Sequence, residues 1–258
     1  MSTFLQVLRV NTKKEFIEMK RYLPNTLSLL ATFYIIFLAL FFGIQVVGDP
    51  AEASSNTQYI IVNYVFWYFA MMTLQSTGGA ITMEAMRGTL EQLYMSPVSA
   101  WRILLARVFG MVAIHLSIMV VLIFASMVTT GEWLHLNIGA IIPILLLTII
   151  SMIGVSFIIA GISVIFKQID AFLQILQFIL MAFAFVPLSV APYLVFAPFV
   201  KGVDMMRHVM IHGYTLVDFT WVDYSWLVGN GVFYAIVGVI VYRSCERLAM
   251  NKGLLGHY

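Results

Sequence analysis

Residues 138–166 read IGAIIPILLLTIISMIGVSFIIAGISVIF and include no charged side chain. A helix needs about 20 predominantly apolar residues to cross a bilayer, and this run is longer than that. In lipid, an α-helix satisfies its backbone polar groups within the segment itself. The stretch therefore predicts a transmembrane helix over Ile138–Phe166 and an all-α membrane fold.

The whole chain has the composition of an integral membrane protein. It is 62% hydrophobic and 10% charged, whereas soluble domains are about 45–50% apolar and about 25% charged. Its mean hydropathy is +0.96. Further apolar runs predict five more membrane helices, at 25–47, 59–83, 103–129, 171–191 and 224–243. These six spans make residues 1–258 a single polytopic membrane domain with no room for a soluble catalytic domain.

The positions of lysine and arginine predict the orientation of the six spans. An even number of spans places both termini on one side, and basic residues favour cytoplasmic loops. With the termini and the tail 244–258 inside, only Lys201 and Arg207 fall on the outer side. We therefore expect a multi-pass protein of the cell membrane with both termini in the cytoplasm.

Two segments fit neither a span nor a simple loop. Residues 1–24 combine apolar Phe16 and Met19 with basic Lys13 and Lys20, which predicts an amphipathic helix lying on the inner membrane surface. Residues 187–222 contain prolines and a short apolar run, which predicts a broken segment re-entering from the outer face. A loop lying on the lipid surface is the alternative for 187–222.

The sequence contains few signs of catalytic chemistry. It has no Gly-x-x-x-x-Gly-Lys-Ser/Thr loop, so we expect any ATP, with its Mg²⁺, to be bound and hydrolysed by a partner. Ser156 lacks the surroundings of a nucleophile elbow, and His208 with His212 has no evident third ligand for a metal. Cys245 is the only cysteine, which excludes an intramolecular disulfide. We predict no catalytic residue, no metal and no nucleic-acid partner.

The interior of the spans offers neutral polar and adaptable apolar side chains. His115 lies near the middle of the third span, where an ionisable group suggests a function, with a neutral interhelical hydrogen bond as the alternative. The absence of carboxylates at that depth disfavours ion-coupled transport. Flat rings and flexible methionines suit a large amphipathic or apolar substrate, although many rings could simply face lipid. The candidate pathway residues are Asn63, Phe66, Gln75, His115, Gln174, Gln177, Phe178, Met181 and Phe185.

Small residues on the spans predict close helix packing, because they let helix backbones approach in lipid. The glycines concerned are Gly110, Gly154, Gly161, Gly229, Gly231 and Gly238.

The cytoplasmic loop 84–102 between the second and third spans is a capped polar turn. Thr89 and Gln92 form a capping-box pattern, and Glu91 lies in the first turn, where the helix dipole favours a negative charge. Proline at 97 predicts that this helix stops near Met95. Apolar Leu90 and Leu93 would not be needed in a solvated connector, so the segment is predicted to be a rigid elbow between the two spans.

This loop resembles that of the membrane subunits of type 2 ABC exporters (ABC-2 permeases), which reads Glu-Arg-Glu-x-Gly-Thr-Leu-Glu-x-Leu and then Ser-Pro. Ala85 and Met86 stand where charged residues are often found. The flat N-terminal helix, six spans and broken outer segment are similar to that family too. The matching residues are Glu84, Arg87, Gly88, Thr89, Leu90, Glu91, Leu93, Ser96 and Pro97.

The resemblance implies a transport subunit that has no nucleotide site of its own. Its expected partners are two copies of an ABC ATPase, a second permease copy as a homodimer, and membrane lipid. The substrate would be a drug, an antibiotic or a lipid, with a lipid-linked glycan as the alternative; an intramembrane enzyme or a secondary transporter is the alternative of another class. The residues implied to couple transport to the ATPase are Glu84, Arg87, Gly88, Thr89, Leu90, Glu91, Gln92, Leu93 and Tyr94.

Overall fold

The computed structural model describes residues 2–47, 53–86, 95, 98–166 and 168–252, which form helices and no strand. Two short 3₁₀ helices cover Pro192–Phe196 and Leu216–Asp218. The α-helices are α1 Ser2–Arg21, α2 Leu23–Val47, α3 Ala53–Met86, α4 Ala100–Thr130, α5 Ile138–Phe166, α6 Asp170–Phe185, α7 Val200–His212 and α8 Trp221–Asn251.

Within the described ranges, four helices are long and apolar enough to cross a membrane: α2, α4, α5 and α8. Helix α3 has 34 residues but a more polar composition, including Asn63 and Gln75. Helix α6 has 16 residues, which at about 1.5 Å per residue is shorter than a typical hydrocarbon core of about 30 Å. The fold is thus that of a polytopic helical membrane protein, and the count of six spans remains a prediction.

Helix bounds differ from the predicted spans in several places: α3 begins at Ala53, before the predicted residue 59, and the bounds of α6 and α8 differ as well. The helix over 171–191 ends at Phe185, because Val186, which precedes Pro187, takes an extended conformation. The last helix begins at Trp221, where Thr220 and Asp223 form a capping box, and it continues to Asn251. Most of the predicted tail that the structure describes is therefore a continuation of α8.

The segment 187–222 contains a helix that the sequence analysis did not predict. After Phe199 in the left-handed region, α7 runs for 13 residues and ends at Gly213, which also has a positive φ. Its apolar face, with Val203, Met206 and Met210, is buried against α3 and α5. The segment is thus an integral part of the helix bundle.

The backbones of helices α5 and α8 approach each other closely. A Cβ atom on Gly154 would lie 2.3 Å from the carbonyl carbon of Tyr234, and one on Gly238 would lie 2.2 Å from the Gly154 oxygen. Close packing is confirmed at these two glycines. The prediction of close packing is wrong at Gly229, where a Cβ would meet nothing within 4 Å.

The N-terminal helix and the last turns of α8 lie at the same end of the bundle. A Cβ on Gly110 of α4 would lie 3.1 Å from the Glu15 side chain of α1. The Arg243 guanidinium of α8 lies 5.4 Å from the centre of the Trp101 ring, at the start of α4. Both ends of the described chain therefore meet α4 next to the loop that the sequence assigns to the cytoplasm.

Candidate coupling and transport sites

An ion pair joins α3 and α4 beside the predicted coupling loop. Arg107 Nη1 donates to Glu84 Oε1 over 2.9 Å, and the two side chains are 19% and 23% exposed. Because the pair is largely shielded from water, salt screens it less than a surface pair. It joins the two helices on either side of the loop. The remaining predicted coupling residues, Arg87 to Tyr94, lie outside the described residues.

The Glu15 carboxyl of α1 also interacts with Arg107. Burial raises the pKa of the Glu15 carboxyl above its ordinary value, and the positive charges of Lys14 and Arg107 oppose that rise. Arg107 thus acts on carboxylates of α1 and α3 at once. The sequence analysis missed Arg107, and the signal that could have found it was a basic residue within two turns of the start of α4.

The interior polar residues are arranged around α3. Gln75 Nε2 donates to Gln177 Oε1 over 3.4 Å, and Trp67 Nε1 donates to the Gln177 carbonyl over 3.0 Å. Tyr68 contacts His115 on α4, with 3.5 Å between the hydroxyl and Nδ1. His115 thus makes an interhelical polar contact. These contacts join α3 to α6 on one side and to α4 on another.

The predicted pathway residues do not form a single pocket within one chain. Phe66 and Gln75 are nine residues apart, which at about 100° per residue places them on opposite faces of α3. Phe66 is buried and lines an apolar cavity with α4, α5 and α7. On α6, Gln177 faces α3, whereas Gln174 and Phe178 are exposed and Met181 and Phe185 are partly exposed. Phe66 is therefore separated from the glutamine pair.

Arg207 on α7 is a buried cation that joins three helices. Its Nε donates to Asn63 Oδ1 on α3 over 2.7 Å, and its Nη2 donates to the Ala184 carbonyl of α6. Asp204 Oδ1 lies 3.8 Å from Nη1. Arg207 is only 3% exposed. The sequence analysis used Arg207 only as an outer charge; the helical spacing of apolar Val203, Met206 and Met210 was the signal that a helix is buried here.

The charges around Arg207 continue to the start of α8. Lys201 Nζ lies 3.3 Å from Asp204 Oδ2 and 2.8 Å from Asp223 Oδ1. Since Asp223 also caps α8, the chain of charges ties α7 to the last helix. It extends through Arg207 to Asn63, a predicted pathway residue.

The two histidines of α7 lie in an aromatic cluster. The rings of His208 and His212 are 5.8 Å apart, and His212 Nε2 lies 3.3 Å from the Tyr59 hydroxyl. In the part of the chain that the structure describes, no group of three His, Cys, Asp or Glu residues could hold a metal ion. The donor set is therefore incomplete.

These features define a multi-pass helical membrane protein in which an ion pair joins the two helices that flank the predicted coupling loop. The family model described as ABC-2 family transporter protein matches residues 4–240, and the chain belongs to that family. No curated protein matches the chain. The chain is thus a membrane permease of an ABC transporter; such permeases lack an ATPase site of their own and normally pair with an ABC ATPase subunit.

Proposed function

We propose that the chain is the translocating subunit of an ATP-driven exporter and that its loop around 89–94 is the coupling helix that docks on the ATPase. The observation that carries the proposal is the ion pair between Glu84 and Arg107, 2.9 Å long and largely shielded. It makes α3 and α4 one unit at the base of the loop. Force applied to the loop then moves both helices together.

Movement of α3 reaches the proposed pathway through side-chain contacts. Near the middle of the bundle, Gln75 and Trp67 bond to Gln177 of α6. Further out, Asn63 bonds to Arg207 of α7. A tilt of α3 therefore changes the positions of α6 and α7 together, which provides a mechanical route from ATPase closure to an outer opening.

The exposed face of α6 supports a homodimer in which two permease copies enclose the pathway. Phe178 is 67% exposed and Ile175 is 62% exposed, and Gln174 is exposed on the same helix. A face that mixes amides with rings is less suited to lipid than an aliphatic one, because an amide in hydrocarbon lacks partners. In such a dimer each permease copy would pair with one ATPase subunit, and ATP and Mg²⁺ would bind to the ATPases.

The same face supports an amphipathic or hydrophobic substrate, such as a drug, an antibiotic or a lipid. Amide side chains bond to neutral polar groups, while rings and methionines adapt to apolar bodies. Export of a lipid-linked glycan by the same mechanism is the second candidate. We propose the cell membrane as the location, with both termini in the cytoplasm, and the contacts of α1 and α8 with α4 support that orientation.

An intramembrane enzyme is less well supported. Ser156 donates to the Thr73 carbonyl over 3.5 Å, whereas His115 contacts Tyr68. The nucleophile candidate and the base candidate thus have different partners, and the described contacts include no catalytic pair.

Affinity purification from native membranes in mild detergent tests the proposal. The wild-type chain is expected to retain an ABC ATPase. Leu93→Asp places a charge on the apolar docking side, and Glu91→Lys reverses a charge in the first turn of the helix. Each variant is expected to lower the retained ATPase by roughly tenfold, the effect of about 1.4 kcal/mol.

The permease yield and the melting temperature of both variants serve as controls, since both should stay at the wild-type level if the substitutions act on docking alone. Retention of the ATPase at the wild-type level by both variants would count against docking at this loop.

A further inference from the structure

An apolar cavity of about 240 Å³ opens between α4 and α5. Its floor consists of side chains that are at most 4% exposed, among them Phe66, Met119, Met206 and Met210. Its mouth is flanked by Val120, Phe124 and Ile138, which are 51%, 46% and 66% exposed. Every side chain that lines the cavity is apolar. The cavity therefore runs from the outer surface of the helices into the bundle.

The surroundings of the mouth decide what can fill the cavity. Helices α4 and α5 are both long and apolar enough to cross a membrane, so the mouth opens into hydrocarbon rather than water. A buried water needs two to four polar partners, and this lining provides none from its side chains. Methionine side chains such as Met119 and Met206 adapt to irregular apolar shapes. Hydrocarbon is thus the chemistry that the cavity accepts.

The length of the cavity along α4 suits a segment of an extended acyl chain. Along α4 its lining reaches from Leu116 to Phe124, about two helical turns or roughly 12 Å. This is close to the depth of one leaflet, since the hydrocarbon core of a bilayer is about 30 Å thick. Ile138, at the start of α5 and next to the mouth, marks the outer end under the predicted orientation.

We infer that the cavity binds one acyl chain of an outer-leaflet phospholipid as a resident lipid. The site is distinct from the proposed pathway, because Phe66 faces it from the side of α3 opposite Gln75 and Gln177. A molecule moving along the α6 face does not pass through it. Met206 and Met210 flank Arg207 in sequence, so the bound chain supports the side of α7 that faces the cavity. The inference does not depend on ATPase docking or on the transported substrate.

Photolabelling in vesicles tests the site. The full-length chain is reconstituted into phosphatidylcholine vesicles with a trace of phosphatidylcholine that carries a diazirine on one acyl chain. After illumination, adducts are mapped by mass spectrometry. In the wild type we expect adducts on floor residues such as Met119 and Met206, as well as on lipid-facing residues.

Adjacent isoleucines of α5 supply a matched pair of variants. Ile141 lines the cavity, whereas Ile142 is 50% exposed on the neighbouring surface. Ile141→Trp fills the cavity and is expected to lower floor adducts roughly tenfold, since overpacked sites tolerate little extra volume. Ile142→Trp is expected to leave them unchanged. Leu145→Phe, also in the lining, is the smaller second variant if Ile141→Trp does not fold.

Three results would overturn the inference. Wild-type chain could be labelled only on lipid-facing residues, which would mean that the cavity is closed to lipid. Floor adducts could persist in both filling variants, which would mean that the label arrives elsewhere. Floor adducts could also fall when the ATPase partner and ATP are added, which would identify the occupant as transported cargo rather than a resident lipid.

Discussion

Replacing Arg207 with leucine is expected to destabilise the protein by about 3 kcal/mol, because the change removes charge-assisted hydrogen bonds from a buried site. The guanidinium bonds to Asn63 of α3 and to the Ala184 carbonyl of α6, and leucine can replace neither bond. Asp204 keeps Lys201 as a partner, which limits the cost. In detergent the melting temperature is expected to fall by roughly 10 °C.

Two variants separate the role of Arg207 from a general effect of losing a charge. Arg207→Lys keeps the charge but lacks the planar fork that reaches two helices, so an intermediate loss is expected. Arg9→Leu removes an exposed arginine from α1 and is expected to change the melting temperature little. An unchanged melting temperature for Arg207→Leu would contradict the role of Arg207 as the link between α3, α6 and α7.

Reversing either charge of the pair at the base of the loop is expected to uncouple transport from ATP hydrolysis. Glu84→Lys or Arg107→Glu would place like charges where the atoms are now 2.9 Å apart, and we expect each to lower transport per ATP at least about tenfold. The ATPase should still co-purify, since the docking residues of the loop are intact. The measurement is substrate movement divided by ATP hydrolysed in reconstituted vesicles.

The double reversal Glu84→Lys with Arg107→Glu restores opposite charges and is expected to recover most of the lost coupling. Reversal of the pair Lys14 and Glu18 on α1 is the control. These side chains are 52% and 49% exposed and 3.5 Å apart, and exposed pairs contribute at most about 1 kcal/mol. If the double reversal behaved no better than the single variants, the two helices would not act as a unit through this contact.

The extent of α5 could be predicted from the sequence, whereas the end of α6 and the presence of α7 could not. Helix α5, from Ile138 to Phe166, is a continuous apolar run that contains no charged residue and only one proline, near its start. In α6 the apolar character continues past Pro187, so hydropathy alone did not show the helix end. Helix α7 carries Lys201, Asp204 and Arg207, which make it look like a polar loop until their mutual pairing is known.

The kinds of residue in the candidate sites could be predicted from the sequence, but the contacts between them could not. Spacing along α3 alone shows that Phe66 and Gln75 lie on opposite faces. The sequence analysis had nevertheless assigned both to one substrate pathway because of their side-chain types. The pairing of Glu84 with Arg107 joins residues on two helices, and no local pattern reports such a contact. Gly154 and Gly229 look alike in sequence, yet only Gly154 faces another backbone.

The central claim is that this ABC-2 permease moves its substrate with energy from ATP hydrolysed on another subunit. The most direct measurement follows a fluorescent phospholipid and a fluorescent amphipathic dye across vesicles that contain the purified chain with its co-purified ATPase. Movement of at least one probe is expected only when the chain, the ATPase and ATP are all present. Movement by the chain alone under a proton or sodium gradient, without ATP, would contradict the claim.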